Sequence, residues 1–165
     1  MPAEKIVVLM GSKSDYEFAS KVKQFLEKEK FSVLCEFDIA SAHKTTEKLL
    51  TDLAKYEKSG KKIVFITIAG LSDALSGVVA GYTKYPVIAC PPDTGQFGWA
   101  KAFSSIMAPR GVAVTFVSNP ENAALAAVKI LALSNPKLQE KILEFRQRMK
   151  ETVFQASKEV RGKLK

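Results

Sequence analysis

Short apolar runs rich in valine and isoleucine alternate with helical patterns along this chain of 165 residues. The runs predict strands at residues 6–10, 32–37, 63–68, 86–90 and 112–117. Between them, apolar residues recur at the three- and four-residue spacing of amphipathic helices. Repeated strand–helix alternation builds a parallel sheet with right-handed crossovers and helices on both faces. The pattern therefore predicts an α/β protein with a central parallel sheet of about five strands.

Capping signals mark where several helices begin. Asp15 stands where a helix N-cap is expected after the first strand. In Asn119-Pro120 and again in Asn135-Pro136, an asparagine cap precedes a proline at the first helical position, where the missing N–H costs nothing. Two further helices are predicted at residues 74–82 and 100–107, and a loop is predicted at residues 91–98.

The last helix, at about residues 136–160, is long for a chain of this size. One of its faces carries the apolar side chains Leu138, Ile142, Phe145, Met149 and Val153. Such a stripe can fold back on its own core or pack against another copy. We expect it to pack on a neighbouring subunit.

The length suits one domain at residues 1–165, with a core at about 5–133. The first apolar run is too short for a signal-peptide core or a membrane span, so we expect a cytoplasmic protein without a membrane partner. Residues 136–165 hold nine Lys and Arg against four Glu, more than half of the net charge of +8. That placement favours a solvated helix face over a nucleic-acid surface. One histidine and two distant cysteines, Cys35 and Cys90, predict no metal site.

Three loops follow predicted strands, and ligands of parallel sheets bind at the carboxyl ends of strands. The loop at 11–15 has a glycine for a tight turn, then serine hydroxyls and free N–H groups that could receive a phosphate. Its spacing is neither that of a Walker A loop nor G-x-G-x-x-G. Taken alone, the loop slightly favours a plain turn capped by serine or aspartate.

The other two loops carry different chemistry. At 40–45, the only histidine, His43, stands between a serine and Lys44 and could move protons, while Lys44 could hold an anion. At 69–73, small residues allow a flat ring to approach the backbone. That loop also suits an ordinary turn capped by Ser72 or Asp73.

The motifs M-G-S-x-S-D, S-A-H-K, A-G-x-S-x-A-L-S-G and Y-P-V-I-A-C-P-P occur in that order at residues 10–15, 41–44, 69–77 and 85–92. Together with residues 108–112 and 122–124, they resemble the phosphoribosylaminoimidazole carboxylase family of purine biosynthesis. The resemblance spans roughly residues 5–133 and implies a single-domain, three-layer flavodoxin-like fold. It also implies a homo-oligomer, usually an octamer, with each site formed between subunits.

The resemblance assigns roles to individual residues. His43 would be the catalytic acid/base, and Ser12, Ser41 and Lys44 would hold the 5′-phosphate of a nucleotide substrate. Asp15 would accept hydrogen bonds from the ribose hydroxyls. Gly70 and Ser72 would line the pocket for the base and the carboxylate. The partners would be this nucleotide and CO2, and no cofactor is implied, neither ATP, biotin nor metal.

The family has two branches, and the sequence most resembles the one that carboxylates aminoimidazole ribonucleotide directly with CO2. The other, a mutase that moves a carboxylate from nitrogen to carbon, typically has a second histidine where this chain has Ala74. Leu71 and Asp73 stand where the direct branch usually has arginine and asparagine, so a positive charge is missing. Arg110 could compensate for it.

Three other classes compete with this interpretation. A flavin-binding module shares the fold class and would purify yellow. A phospho-receiver domain needs an aspartate at the end of the third strand, where this chain has Ala69 and Gly70. A nucleic-acid-binding protein would show steeply salt-dependent binding to generic DNA or RNA.

Overall fold

The computed structural model describes residues 4–92 and 98–163, and within them a parallel sheet of five strands forms the centre of the protein. The strands are β1 (Glu4–Met10), β2 (Leu34–Ile39), β3 (Lys62–Ile68), β4 (Val87–Ala89) and β5 (Thr115–Phe116). Their order across the sheet is β2-β1-β3-β4-β5. The chain runs outward from β1 to β2, then returns across β1 to build the other side. The crevice beyond the carboxyl ends of β1 and β3 is therefore the topological switch point, where such folds bind ligands.

Helices cover both faces of this sheet. They are α1 (Tyr16–Lys28), α2 (Thr46–Glu57), α3 (Ala74–Tyr82), α4 (Phe103–Ile106), α5 (Pro120–Ala132) and α6 (Pro136–Lys163). In β1, Ile6 and Val8 pack toward α1 and α5, whereas Val7 and Leu9 pack toward α2 and α3. This alternation is the two-residue period of a strand buried on both faces. The three-layer, flavodoxin-like fold expected from the sequence is confirmed.

The first edge strand, β2, lies two residues later than predicted. Helix α1 ends without a glycine: Lys30 takes a positive φ of 58°, and the N–H of Phe31 donates to the carbonyl of Leu26 at 2.9 Å. This turn pushes the strand start toward the C-terminus. The strand then continues past the apolar run, because an edge strand tolerates the partly exposed Asp38, whose carboxylate pairs with Lys48.

The other edge is shorter than predicted. β4 keeps only the middle of the predicted 86–90 run, and β5 keeps two residues of 112–117, since a strand can pair only over the length of its neighbour. Residues 98–102 form a 3₁₀ turn that leads into α4, where a single helix at 100–107 was predicted. Most of the predicted loop at 91–98 lies outside the described residues.

The long helix α6 divides into a packed and an exposed part. Leu138 is buried, and Ile142 and Phe145 pack against the core beside α1. Further along, Met149 is 53% exposed and Val153 is 67% exposed. No helix among the described residues is long and apolar enough to cross a membrane.

Candidate active site at the strand ends

The three loops singled out in the sequence converge on one cleft of about 370 Å³. They meet because β1, β2 and β3 are adjacent and parallel, so their carboxyl ends lie at the same edge of the sheet. The N–H of Gly11 donates to the carbonyl of Ile68, and the N–H of Ala40 donates to that of Met10. All the residues predicted for the site line this cleft: Ser12, Asp15, Ser41, His43, Lys44, Gly70 and Ser72.

The first loop is organised around the Asp15 carboxylate. Its Oδ2 accepts hydrogen bonds from the backbone N–H of Ser12 at 2.9 Å and from the Ser12 hydroxyl at 3.1 Å. The Ser12 and Ser14 hydroxyls lie 2.6 Å apart. Asp15 occupies the predicted N-cap position, but its side chain caps no N–H of α1 and bonds backward to Ser12. Two hydroxyls thus stand at a helix N-terminus, an arrangement that suits an anionic group.

Asp15 is nearly inaccessible to solvent, with 6% of its surface exposed. Burial raises the pKa of this carboxyl, while the two hydrogen bonds from Ser12 and the charge of Lys101 act in the opposite direction. A buried carboxylate is costly unless it is hydrogen-bonded. The backbone and side chain of Ser12 meet that requirement for Oδ2, and Oδ1 faces Gly70.

The second loop is a turn fixed by threonine hydroxyls. The Ser41 N–H donates to Thr45 Oγ1 at 2.9 Å, and the Thr46 hydroxyl donates to the Ala42 carbonyl at 2.6 Å. The N–H of Lys44 donates to Ser41 Oγ at 3.2 Å. The backbone of this turn is therefore held in place, while His43 at its tip stays open to solvent and to whatever enters the cleft.

The third loop has residues that face the cleft and a residue that anchors the following helix. Gly70 and the exposed Ser72 face the cleft, and Leu71 at its rim is 66% exposed. Asp73 is buried and caps α3: it accepts hydrogen bonds from the N–H and hydroxyl of Ser76 and from the hydroxyl of Ser105 at 2.6 Å. The predicted capping role of Asp73 is confirmed, and this residue ties α3 to α4.

Positive charge reaches the site from an unexpected segment. Leu71 brings no cation, and Arg110, named as a substitute, is exposed and is not among the residues that line the cleft. Lys101, from the 3₁₀ turn before α4, instead donates to the Gly70 carbonyl at 3.4 Å. Lys101 lies 31 residues from Gly70 in the sequence, so no local motif links the two residues. Ser14 was also left out of the predicted set, although its place in the M-G-S-x-S-D motif could have indicated it.

Within residues 4–92 and 98–163, no cluster of His, Cys, Asp and Glu side chains is arranged to hold a metal ion. The cleft thus offers hydroxyls and N–H groups for an anion, a carboxylate for neutral donors, and one imidazole. Both cysteines are free thiols away from the cleft lining, and burial raises the pKa of each to about 12.

Comparison with known proteins identifies relatives along nearly the whole chain. Residues 5–152 match the family described as AIR carboxylase. A phosphoribosylaminoimidazole carboxylase from Archaeoglobus fulgidus is 45% identical over 95% of this chain and 85% of its own length. An N5-carboxyaminoimidazole ribonucleotide mutase from Methanocaldococcus jannaschii is 40% identical over 97% of this chain and 99% of its own length. The crystal structure of Treponema denticola PurE matches with a TM-score of 0.87 and 34% identity, covering 92% of this chain and 95% of that one.

The family match covers all three loops that form the cleft and both layers of helices around the sheet. The two relatives from archaea carry different activity names, one a carboxylase and the other a mutase. Both are enzymes that act on aminoimidazole ribonucleotides. This chain belongs to the AIR carboxylase family and is an enzyme of purine biosynthesis.

Proposed function

We propose that this enzyme joins CO2 to C4 of 5-aminoimidazole ribonucleotide and forms 4-carboxy-5-aminoimidazole ribonucleotide. The observation that carries the proposal is the position of the only histidine of the chain. His43 lies in the same cleft as Lys44 and as the hydroxyls of the first loop. A proton-transfer group thus stands beside groups that can hold a nucleotide phosphate.

The phosphate and the ribose require opposite chemistry, and the cleft provides both. Ser12 and Ser41 supply hydroxyls and Lys44 supplies an ammonium, and these groups stabilise a phosphate. Asp15 would repel a phosphate, but its carboxylate can accept hydrogen bonds from the two neutral ribose hydroxyls. We therefore place the phosphate at the serines and Lys44, and the ribose at Asp15.

The base then lies along the backbone of the third loop, against Gly70 and Ser72. C4 of the substrate is the nucleophilic carbon of an enamine, because the amino group at C5 donates electron density to it. The C4–C5 π electron pair forms the bond to the carbon of CO2, and one C=O electron pair moves onto oxygen. No metal, ATP or biotin is needed for this attack.

The adduct holds both a proton and a carboxylate on C4, so aromaticity returns only when the proton leaves. His43 accepts that proton in its neutral form. General base catalysis of this kind supplies on the order of 10²–10⁴ in rate. Holding CO2 against C4 in an attack geometry supplies much of the rest.

A mutase is the second candidate, favoured by the relative of that name that aligns over 97% of this chain. That reaction transfers a carboxylate from the exocyclic nitrogen to C4. The mutase branch typically has a second histidine where this chain has Ala74, the first residue of α3. This difference supports the direct carboxylation.

The test is to mix the purified protein with aminoimidazole ribonucleotide and bicarbonate, without ATP, and to follow the carboxylated product by ultraviolet absorbance. Formation faster than in a protein-free control supports the direct carboxylase. Turnover of the N-carboxylated ribonucleotide alone would replace it with the mutase, and no turnover of either would overturn both. His43→Asn should lower kcat by about 10²–10⁴; near wild-type turnover would contradict the role of His43.

We also propose that the enzyme works as a homo-oligomer in which α6 packs on a neighbouring copy. The stripe from Leu138 to Val160 includes Met149 and Val153 and lies within roughly 80° around the helix at 100° per residue. Its first residues pack on this chain, and its later ones are exposed. A second copy would cover the continuation of a face that is already used for packing.

A further inference from the structure

We propose that Lys101 is a positioning residue for ribose recognition, which it serves by holding the Gly70 carbonyl and facing the Asp15 carboxylate from behind the cleft wall. This inference rests on the proposed function, which assigns the ribose hydroxyls to Asp15. It adds a residue from a fourth segment to a site built by three loops.

The geometry begins with the route of the Lys101 side chain. It is half-buried beside Pro91, Pro92 and Ala102, and its ammonium donates to the Gly70 carbonyl at 3.4 Å. Lys101 does not itself line the cleft, whereas Gly70 does. We therefore assign it an indirect role, through Gly70 and Asp15.

Gly70 links Lys101 to Asp15 through a close packing contact. A β-carbon added at Gly70 would lie 3.0 Å from Asp15 Oδ1, so the carboxylate occupies the space beside Gly70 where a side chain would stand. Any shift of the Gly70 carbonyl changes the space available to Oδ1. The hydrogen bond from Lys101 thus fixes one wall of the Asp15 pocket.

The positive charge of Lys101 supports the same role as its hydrogen bond to Gly70. Burial raises the pKa of Asp15, and the field of Lys101 opposes that rise. Other charged or titratable side chains line the pockets at this wall: Glu17, Lys21, His43 and Lys44. Among the described residues, Lys101 is the one whose charge lowers the pKa of Asp15.

The consequence for binding follows from the protonation state. An ionised Asp15 accepts hydrogen bonds from both ribose hydroxyls, whereas a protonated one keeps a hydrogen that must be donated elsewhere. Because the ionised form is required, activity falls as pH drops through the Asp15 pKa. Removing the Lys101 charge raises that pKa, so the loss of activity should begin at a higher pH.

The experiment records the pH profile of kcat/KM from pH 4 to pH 8.5 for wild type, Lys101→Met and Lys101→Arg. In Lys101→Met, the acid limb of the profile should shift to higher pH than in wild type, with KM carrying the change. Lys101→Arg keeps the charge and should return the acid limb to its wild-type position. An equal loss at every pH, or a loss in kcat alone, would overturn the inference.

A second measurement does not depend on turnover. Carbon-detected NMR of the Asp15 carboxyl, assigned by its disappearance in Asp15→Asn, follows its titration in wild type and in Lys101→Met. The titration should move to higher pH in the variant, and an unchanged titration would overturn the inference. If the protein turned over neither ribonucleotide but the titration still moved, the proposed function would fail while the link between Lys101 and Asp15 stood.

Discussion

Asp15 and Gly70 lie so close together that a side chain on Gly70 would crowd the Asp15 carboxylate. A β-carbon built on Gly70 would lie 3.0 Å from Asp15 Oδ1, while Oδ2 of the same carboxylate is held by two hydrogen bonds from Ser12. The carboxylate is thus clamped from both sides. Glycine suits this position because it has no side chain. Its backbone conformation does not call for glycine, because Gly70 is not in the left-handed region.

Gly70→Ala should therefore displace Asp15 and weaken nucleotide binding. We expect KM for aminoimidazole ribonucleotide to rise roughly tenfold, since small misplacements of a positioning group have effects of this order or larger. Steady-state kinetics with varied nucleotide at saturating bicarbonate measures the change. An unaltered KM would mean that Asp15 does not contact the substrate.

Gly77→Ala is the matched control for this change. Gly77 lies within α3, and a β-carbon added there meets nothing within 4 Å. The same substitution should leave KM unchanged and raise the free energy of unfolding by about 0.5–1 kcal/mol, because alanine favours a helix over glycine. Chemical denaturation of both variants separates the effect on stability from the effect on binding.

Asp73 joins α3 to α4, and its replacement should lower the stability of the fold substantially. It is 2% exposed and accepts three hydrogen bonds, two from Ser76 and one from Ser105. Asp73→Ala removes a cap and leaves two buried hydroxyls without their acceptor, so the free energy of unfolding should fall by about 2–4 kcal/mol.

Asn119→Ala is the reference variant against which the loss in Asp73→Ala is compared. Asn119 caps α5 through one hydrogen bond, from the N–H of Asn122 at 2.8 Å, and is exposed. Its replacement should lower the free energy of unfolding by about 1 kcal/mol. Equal losses in the two variants, measured by urea denaturation, would show that the Asp73 bond to Ser105 contributes nothing to stability.

The sequence predicted those features of the fold that depend on local pattern. The central strands β1 and β3 were recognised because burial on both faces requires unbroken apolar runs. The edge strands were misplaced, because their limits depend on the neighbouring strand and on the turn at Lys30, which lacks the usual glycine. Neither determinant is visible in the hydrophobic pattern.

The residues expected at the site belong to strand-end loops, and the structure places them along one cleft. The parallel topology brings those loops together, so His43 and Asp15 could be assigned to one cleft from the sequence. Lys101 was missed because it reaches the site through tertiary packing from a segment outside those loops. Arg110 belongs to the segment 108–112 that resembles the family, and it is not among the residues that line the cleft.

Glu36 should make the stability depend on pH. Hydrogen bonds from Lys5 and then from Tyr56 lower the pKa of this carboxyl. A lowered folded pKa adds stability above the unfolded pKa, and that stability is lost as pH falls through the folded value. Glu36→Gln should thus be less stable than wild type at pH 7, with the difference shrinking as pH falls through the folded pKa of Glu36.

The control is Glu159→Gln, which removes the same charge from an exposed position of α6. Within the part of the chain that the structure describes, Glu159 has no ion pair. Its difference from wild type should stay small, because the substitution removes no ion pair among the described residues. Urea denaturation of the three proteins at pH 3.5, 5 and 7 is the measurement. A Glu36→Gln deficit that persisted in acid would contradict the linkage.

Val153→Glu should break the proposed assembly without harming the isolated chain. Val153 is 67% exposed and is not among the described residues that pack against the core, so a single copy would tolerate a carboxylate there. If a second copy covers the stripe, the variant buries an unpaired charge and the oligomer dissociates. Light scattering coupled to size-exclusion chromatography should then show a smaller species with an unchanged circular dichroism spectrum.

Gln155→Glu adds the same charge two residues further along, about 200° around the helix from Val153. It should leave the assembly intact, because the charge then lies on the opposite face. A wild-type protein that is monomeric at every concentration would overturn the assembly. Dissociation by both variants would instead attribute the effect to charge on α6, whose segment already carries nine Lys and Arg against four Glu. Dissociation by Val153→Glu alone identifies the apolar stripe as the contact surface.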